Sequence, residues 1–460
     1  YYVIKKLYEM GEIEKAYNLV KKINTNNILN ENNLNFFYLI ELNYLYSKLE
    51  LGEVCELKSF LIEKSITLPK NLLEKTDIFC LTLDKKYAEA RMLNSLLMEF
   101  ELEIDQNFQS LFNYMILNDE VNNSFEALNN INSKELVFLY SAMLRINELP
   151  LDKDFIEVDP INLSIPVILS DSTKMDIRIQ AAHKAYEDDL LSINSLSALY
   201  QSVDFNSKQF NNPEQTITSL GSKELIMAFY YQLANIQIFP DDRLNVVLEY
   251  WNFAKKSGLE KIAYALTEQI IKTFSPTTEN VEFAIKIAFA HIANNNYDEA
   301  QKWLDLYEIS NLNEPNVYYA NFLIDLKNND DLDIIINYLS DNFSNVENIN
   351  NQSTLESFGV LIDFLNIQNV SKNKLTYLNI SDTRTMPSFF LIKDIKRSIN
   401  AKNDISIFML SIISLNNKNW IELHPEHLKL ILEAYNLYEN GFLLKQIILE
   451  MLTEKEIINE

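Results

Sequence analysis

Apolar residues recur along the chain at the spacing of α-helices. Val3, Ile4, Leu7 and Tyr8 keep the i, i+3, i+4 spacing that places side chains on one helix face. Similar stretches follow through most of the chain, and the clearest pair of helices is predicted over 281–293 and 297–307. The pattern predicts an all-α protein whose helices each bury one face and are joined by short polar turns.

One short pattern recurs: a tight turn followed by a helix with a small residue near its start. The clearest copy is 294–304, with Ala300 as the small residue, and other copies are centred on Ala16 and Ala90. A further copy carries Leu57 at this position, so that successive spacings are 41 and 33 residues. Helix pairs repeated at variable spacing predict a degenerate α-solenoid of antiparallel pairs, with Ala300 buried at a helix–helix contact.

Composition supports helices and argues against nucleic acid as a partner. The chain has six Gly and ten Pro in 460 residues, whereas average usage gives roughly thirty and about twenty, respectively. Sandwiches, barrels and doubly wound sheets need more turn glycines than this. The net charge is −25, and no Lys/Arg-rich run departs from it. Such a surface disfavours nucleic acid and anionic membranes but is compatible with a protein partner.

Three prolines mark the best candidate for a domain boundary. Pro150, Pro160 and Pro166 fall within 149–170, and each disfavours helix at the residue before it. We therefore predict an N-terminal helical-repeat array over 1–148, an extended Pro-rich connector over 149–170 and a C-terminal array over 171–460. A polar loop is predicted over 340–353 and a last turn at Asn440–Gly441.

Cysteines and apolar runs leave the compartment open. Cys55 and Cys80 each lie in an apolar helical context typical of a structural thiol, and a disulfide between neighbouring helices is an open alternative. The longest apolar run, 405–415, is interrupted by serines and is too short for a membrane span, which needs about 20 residues. Because the chain starts with Tyr1 inside a helical pattern, we expect its natural N-terminus upstream, which leaves cytoplasm and periplasm both open.

No residue pattern predicts a reaction, a cofactor or a metal site. His424 and His427 have the i, i+3 spacing of a ligand pair, but no third ligand is identifiable, and helix capping explains the segment. His183 lies among alanines, which is typical of close helix packing. The six glycines are far apart, so a phosphate-binding loop is missing from the sequence. We predict no catalytic, cofactor-binding or metal-ligating residues.

Aromatic clusters provide the candidates for partner contacts. Tyr231, Tyr250 and Trp251 lie in the densest aromatic stretches, and His291 faces the predicted groove of the clearest repeat. Tyr and Trp combine an apolar body with a polar tip, which suits interfaces. Burial between helices is the competing interpretation for these residues.

The clearest repeat resembles the tetratricopeptide family. Ile287, Ala288, His291, Ala300 and Leu304 fall where that family has large, small, aromatic, small and large residues, although His291 replaces the usual Tyr. Around Ala16 and Ala90 only the second helix of the unit matches. The overall layout also looks like that of long bacterial helical-repeat proteins. The resemblance implies a superhelix that binds a peptide or partner protein on its concave face.

We therefore predict a non-enzymatic interaction scaffold that binds through Tyr and Asn side chains. Its oligomeric state stays open. One alternative is an all-α toroid enzyme acting on envelope glycan, because fold alone does not fix function. Another is a structural component of a bacterial envelope assembly.

Overall fold

The structure is a computed structural model, and it is all-helical throughout the part that it describes. It describes residues 1–23, 31–101, 103–117, 125, 128, 131, 133–309, 315–329, 332–341, 352–367, 384–416, 418–436 and 442–454. Within these ranges there is no β-strand, and only an isolated bridge joins Thr385 and Leu423. The predicted all-α class is confirmed. The predicted turn at Asn440–Gly441 and most of the predicted loop over 340–353 lie outside the described residues.

The chain forms two compact units, Tyr1–Phe253 and Ala254–Glu460. The helices that begin in the first unit are α1 Tyr2–Glu9, α2 Ile13–Lys22, α3 Glu31–Lys48, α4 Leu51–Glu63, α5 Leu72–Leu83, α6 Tyr87–Phe100, α7 Gln106–Leu117, α8 Val137–Ile146, α9 Asp154–Val158, α10 Pro160–Ile168, α11 Met175–Glu187, α12 Ile193–Gln201, α13 Ser207–Asn211, α14 Pro213–Ser219, α15 Lys223–Ile236 and α16 Pro240–Lys256. Those of the second unit are α17 Glu260–Ile271, α18 Ala284–Ala293, α19 Tyr297–Ile309, α20 Pro315–Asn328, α21 Asp333–Asp341, α22 Gln352–Phe364, α23 Phe389–Asn400, α24 Asp404–Leu415, α25 Pro425–Tyr435 and α26 Phe442–Glu454.

Consecutive helices pack against each other in both units. In the first unit each helix from α1 to α5 contacts the next, and α3 also contacts α8 and α10. In the second unit the consecutive contacts run from α17 to α21, while α20 contacts α26 and α22 contacts α25. Each unit therefore combines neighbour-to-neighbour packing with contacts between helices that are distant in sequence.

Small residues lie at the closest helix contacts, as the repeat pattern predicts. Ala16, Ala90 and Ala300 are all fully buried. Ala300 lies on α19, which packs closely on α18. Because a methyl group occupies little space, the two helix backbones can approach at this position. The prediction that Ala300 is buried is confirmed.

Asparagines build the turn between α18 and α19. Asn295 adopts a positive φ of 59°, a left-handed conformation that Asn tolerates better than most residues. Asn294 Nδ2 donates to the Tyr264 carbonyl at 2.9 Å, and Asn296 Nδ2 donates to Glu268 Oε1 at 3.0 Å. Both acceptors belong to α17, so the turn fixes the helix pair to the preceding helix.

The segment 149–170 is helical, and the prediction of an extended conformation there was wrong. Pro160 is the first residue of α10, where its missing N–H removes no helical hydrogen bond. Asp159 caps the same helix by accepting from the Asn162 backbone N–H at 3.1 Å. Pro166 lies inside α10 and costs a single helical bond. The segment lies within the first compact unit, and the predicted division into two arrays stays a prediction.

The two cysteines form a disulfide. Cys55 on α4 and Cys80 on α5 are bonded, with their Cα atoms 5.7 Å apart. Of the two alternatives that the sequence left open, free structural thiols or a disulfide, the structure has the disulfide. The bond joins residues 25 positions apart, and restricting the unfolded chain in this way stabilises the fold by about 3 kcal/mol in the chain-entropy model.

No helix in the described ranges combines the length and the apolar character that crossing a membrane requires. The apolar run 405–415 lies in α24.

Replacing Ala90 by leucine tests the role of small residues at helix contacts. Ala90 is fully buried, whereas Ala88 in the same helix is exposed. We expect Ala90→Leu to lower the free energy of unfolding by about 1–3 kcal/mol, because the larger side chain forces α6 away from its neighbours. Ala88→Leu should change it by no more than about 0.5 kcal/mol. Urea unfolding followed by circular dichroism measures both, and equal effects would contradict the packing described here.

Candidate functional site

The four residues predicted to contact a partner lie between helices. Tyr231, Tyr250 and Trp251 are buried in the first unit, and His291 is buried in the second. Their side chains fill helix–helix contacts rather than an open surface. A role in partner binding stays a prediction for all four.

Tyr231 and Tyr250 belong to a buried polar cluster that includes His183. His183 Nε2 and Tyr200 Oη are in hydrogen-bond contact at 2.6 Å, and Tyr231 Oη and Ser197 Oγ share a bond of the same length. Burial lowers the pKa of His183 to about 3, so the imidazole is neutral at physiological pH. Burial and the Tyr200 phenol raise the pKa of Tyr250 well above 10. Neutral hydrogen-bonded groups of this kind hold α11, α12 and α15 together.

A second polar cluster, in the first unit, has no counterpart among the sequence predictions. Lys75 Nζ donates to Asp105 Oδ2 at 2.8 Å and lies 3.0 Å from Glu101 Oε1. The Tyr140 hydroxyl also donates to Asp105. Although burial by itself raises the pKa of Asp105, the hydrogen bonds from Lys75 and Tyr140 outweigh it and lower the pKa. The enclosed lysine and its carboxylates connect the ends of α5, α6 and α7 with α8.

The histidine pair at 424 and 427 supports a helix rather than a metal. His424 Nδ1 accepts from the Glu426 backbone N–H at 3.2 Å and caps α25. His427 is fully buried, and its Nε2 lies 2.9 Å from Ser414 Oγ on α24. Among the described residues, no three His, Cys, Asp or Glu side chains are grouped so that they could hold a metal ion.

Helix α24 buries Ile407, Ser411 and Ser414 and exposes four large apolar residues. Ser411 and Ser414 are buried, and Ser414 contacts His427 of α25. Ile405, Phe408, Met409 and Ile413 are between 46% and 79% exposed. Their i, i+3, i+4, i+8 spacing places them along one stripe of the helix. Large contiguous apolar patches are uncommon on the surface of folded monomeric proteins.

Helix α23 extends the exposed apolar surface and adds positive charge. Phe389 and Phe390, in its first turn, are 73% and 77% exposed. The helix carries Lys393, Lys396 and Arg397 but only one acidic residue. Arg397 pairs with that residue, Asp394, at 3.2 Å, and both side chains are exposed. In the described part of the chain, Lys393 and Lys396 have no ion-pair partner within reach.

A tight turn holds α23 and α24 side by side. The Asn403 backbone N–H donates to the Ser398 carbonyl at 3.1 Å, across Lys402 with its positive φ of 50°. The Asn403 side chain then caps α24 by accepting from the Ser406 backbone N–H at 3.1 Å. The two helices therefore form an antiparallel hairpin, whose inner side, including the buried Ile395 and Ile407, packs on α25.

A groove of about 420 Å³ lies between the two helices, and we call it the hairpin groove. Asp394, Arg397 and Ser398 line it from α23, and Ile405, Met409 and Leu410 line it from α24. Phe390 precedes Asp394 by one turn, and Ile413 follows Met409 by one turn, so both extend the walls toward the other end of the hairpin. We use the name hairpin face for the exposed apolar residues Phe389, Phe390, Ile405, Phe408, Met409 and Ile413.

No protein-family model, no curated protein and no solved structure matches the chain. The resemblance to tetratricopeptide repeats therefore rests on the residue pattern alone.

His427 should make the support of the hairpin sensitive to acid. Burial lowers the pKa of His427 from 6.5 to about 4. On acidification, the imidazole is therefore protonated near pH 6.5 in the unfolded chain but only near pH 4 in the folded chain. The stability that neutral His427 contributes is complete above pH 6.5 and is lost as the pH falls. When the pH is lowered from 7 to 5, this residue should lower the free energy of unfolding by about 2 kcal/mol.

The measurement is urea unfolding at both pH values for the wild-type chain and for His427→Gln. The variant should lose less stability on acidification, by the amount attributed to His427. If the two proteins have the same pH dependence, the imidazole is not held neutral in the folded chain.

Proposed function

We propose that the chain is a non-enzymatic protein-interaction scaffold, and that the hairpin face is its partner-binding surface. The observation that carries the proposal is the exposed apolar row of α24. Large apolar side chains in water are unfavourable by about 25 cal/mol per Å² of exposed surface, and Ile405, Met409 and Ile413 form a continuous row of them. A partner that covers this row recovers that free energy.

The scaffold is a degenerate α-solenoid in this proposal. Support comes from the consecutive packing of α1–α6 and of α17–α21. The buried Ala16, Ala90 and Ala300 provide further support, since they occupy equivalent places in the repeated unit. A stack of helix pairs exposes a long surface relative to its core, which suits it to presenting binding sites.

The binding mode that fits the hairpin is a single segment laid along its groove. The walls run in parallel for the length of two short helices, and an α-helix of a partner would place apolar side chains every three or four residues along them. Ile405, Met409 and Ile413 have the matching period on the receiving side. The buried Tyr231, Tyr250, Trp251 and His291 would then support the scaffold without touching the partner.

The disulfide favours an oxidising compartment for this scaffold. Disulfides persist in secreted and periplasmic proteins and are rare in the reducing cytosol. Cys55 and Cys80 are both used in the bond, and the described chain has no free cysteine. This observation supports the alternative that the scaffold belongs to a bacterial envelope assembly.

Site-specific photo-crosslinking tests the proposed surface. A benzophenone amino acid at position 390 or 409 should capture one and the same polypeptide in the cells from which the chain comes. The same probe at the exposed Glu282 of the second unit is the control and should not capture it. Ile413→Asp should abolish capture and should lower the affinity of the purified partner at least tenfold, because a carboxylate replaces a buried contact.

The outcomes separate a binding surface from an inert one. Equal capture at 282, 390 and 409 contradicts a specific surface on the hairpin. Unchanged affinity in the Ile413→Asp variant contradicts it as well. Circular dichroism of that variant checks that the helices are retained.

A further inference from the structure

We propose that the partner segment is an acidic amphipathic helix, whose apolar side chains enter the hairpin groove and whose carboxylates pair with Lys393 and Arg397. The inference rests on the proposed function and specifies the chemistry of the partner.

The charge of α23 is opposite to that of the chain as a whole. The chain has 65 acidic and 40 basic residues, whereas α23 has three basic residues and one acidic residue. The electrostatic potential far from the chain depends on its total charge. At physiological ionic strength, however, a charge is largely screened beyond about 8 Å. A segment lying on α23 therefore experiences mainly Lys393, Lys396 and Arg397.

Lys393 and Arg397 lie where a docked segment could reach them. Arg397 lines the hairpin groove, and Lys393 precedes it by one helical turn on the same side. The pair that Arg397 makes with Asp394 is exposed on both sides, so it contributes little and can be exchanged for a partner carboxylate. The positive side chains thus flank an apolar row, and the complementary ligand has an apolar row flanked by negative side chains.

The lining of the site favours a protein segment over a membrane surface. Met409 and Leu410 share the hairpin groove with the Asp394 carboxylate, and the apolar interior of a bilayer offers a carboxylate no hydrogen-bond partner. A second copy of this chain, docked through the same surface, would bring two sets of basic residues together, which also disfavours self-association.

Peptide titration tests the inference on the full chain. Three fluorescein-labelled helical peptides would share one leucine stripe at i, i+3, i+4, i+7 and differ only in the flanking residues, which are Glu, Gln or Lys. We expect the Glu peptide to bind most tightly and the Lys peptide most weakly by fluorescence anisotropy. Raising the salt from about 0.05 M to about 0.5 M should narrow the difference, because salt screens the charges.

A pair of charge variants identifies the groups that recognise the peptide. Lys393→Glu/Arg397→Glu should weaken binding of the Glu peptide about tenfold and leave the Gln peptide nearly unchanged. Lys256→Glu/Lys286→Glu changes the net charge by the same amount at two exposed lysines of the second unit. This control should change the affinity for the Glu peptide less than twofold. Retained binding of the Gln peptide shows that the hairpin is still folded.

The possible outcomes distinguish the partner chemistry from the binding surface itself. If all three peptides bind equally and Ile413→Asp removes them all, the acidic partner is wrong while the proposed surface stands. If no peptide binds and Ile413→Asp changes nothing, the surface is wrong too. If the chain instead co-sediments with phosphatidylglycerol vesicles and loses this binding in Lys393→Glu/Arg397→Glu, that result would contradict an acidic helical partner and indicate a membrane surface. A concentration-dependent dimer that is lost in the same variant would also contradict such a partner and indicate a second copy of the chain.

Discussion

Burial of one face by each helix is the constraint on which the rest of the structure depends. With six glycines in the chain, helices joined by polar turns provide nearly all of its regular structure. A helix that is alone in water is marginal, and packing of its apolar face supplies most of its stability. Alanines such as Ala90 and Ala300 let neighbouring helices approach at these contacts. A helix that fails to bury its apolar face is therefore an exception that requires a physical reason.

Helix α24 is one such exception, and its buried side consists of Ile407, Ser411 and Ser414. Ser411 and Ser414 give α24 a narrow inner side, which packs on α25 and allows the contact with His427. On the opposite side of the helix, Ile405, Phe408, Met409 and Ile413 are exposed. If α24 had only a structural role, exposed serines and buried apolar residues would stabilise the fold more. The observed arrangement is explained by a partner that covers the outer side.

The sequence predicted the helices well and the surfaces poorly, for reasons that differ between elements. Periodicity located α18 and α19 to within a few residues of their observed bounds. It failed over 149–170, because Pro160 occupies the first position of a helix, where proline is favourable. The buried pair of Lys75 and Asp105 depends on contacts between residues 30 positions apart, which no local pattern reveals. In α24 the mixture of serine and apolar residues has a helical period but does not show which side faces the core. The positive charge of the neighbouring helix α23 was not predicted, because the net charge was taken over the whole chain.

The central claim is that the row of Ile405, Met409 and Ile413 is in water when the chain is free. The most direct test is the free energy of unfolding of the triple variant Ile405→Gln/Met409→Gln/Ile413→Gln, measured by urea titration. The account predicts a change within about 0.5 kcal/mol per substitution, because the wild-type side chains are already exposed. Buried side chains of this size would cost about 2–5 kcal/mol each on removal from a core. A loss on that scale would show that the row belongs to the core and would contradict the account.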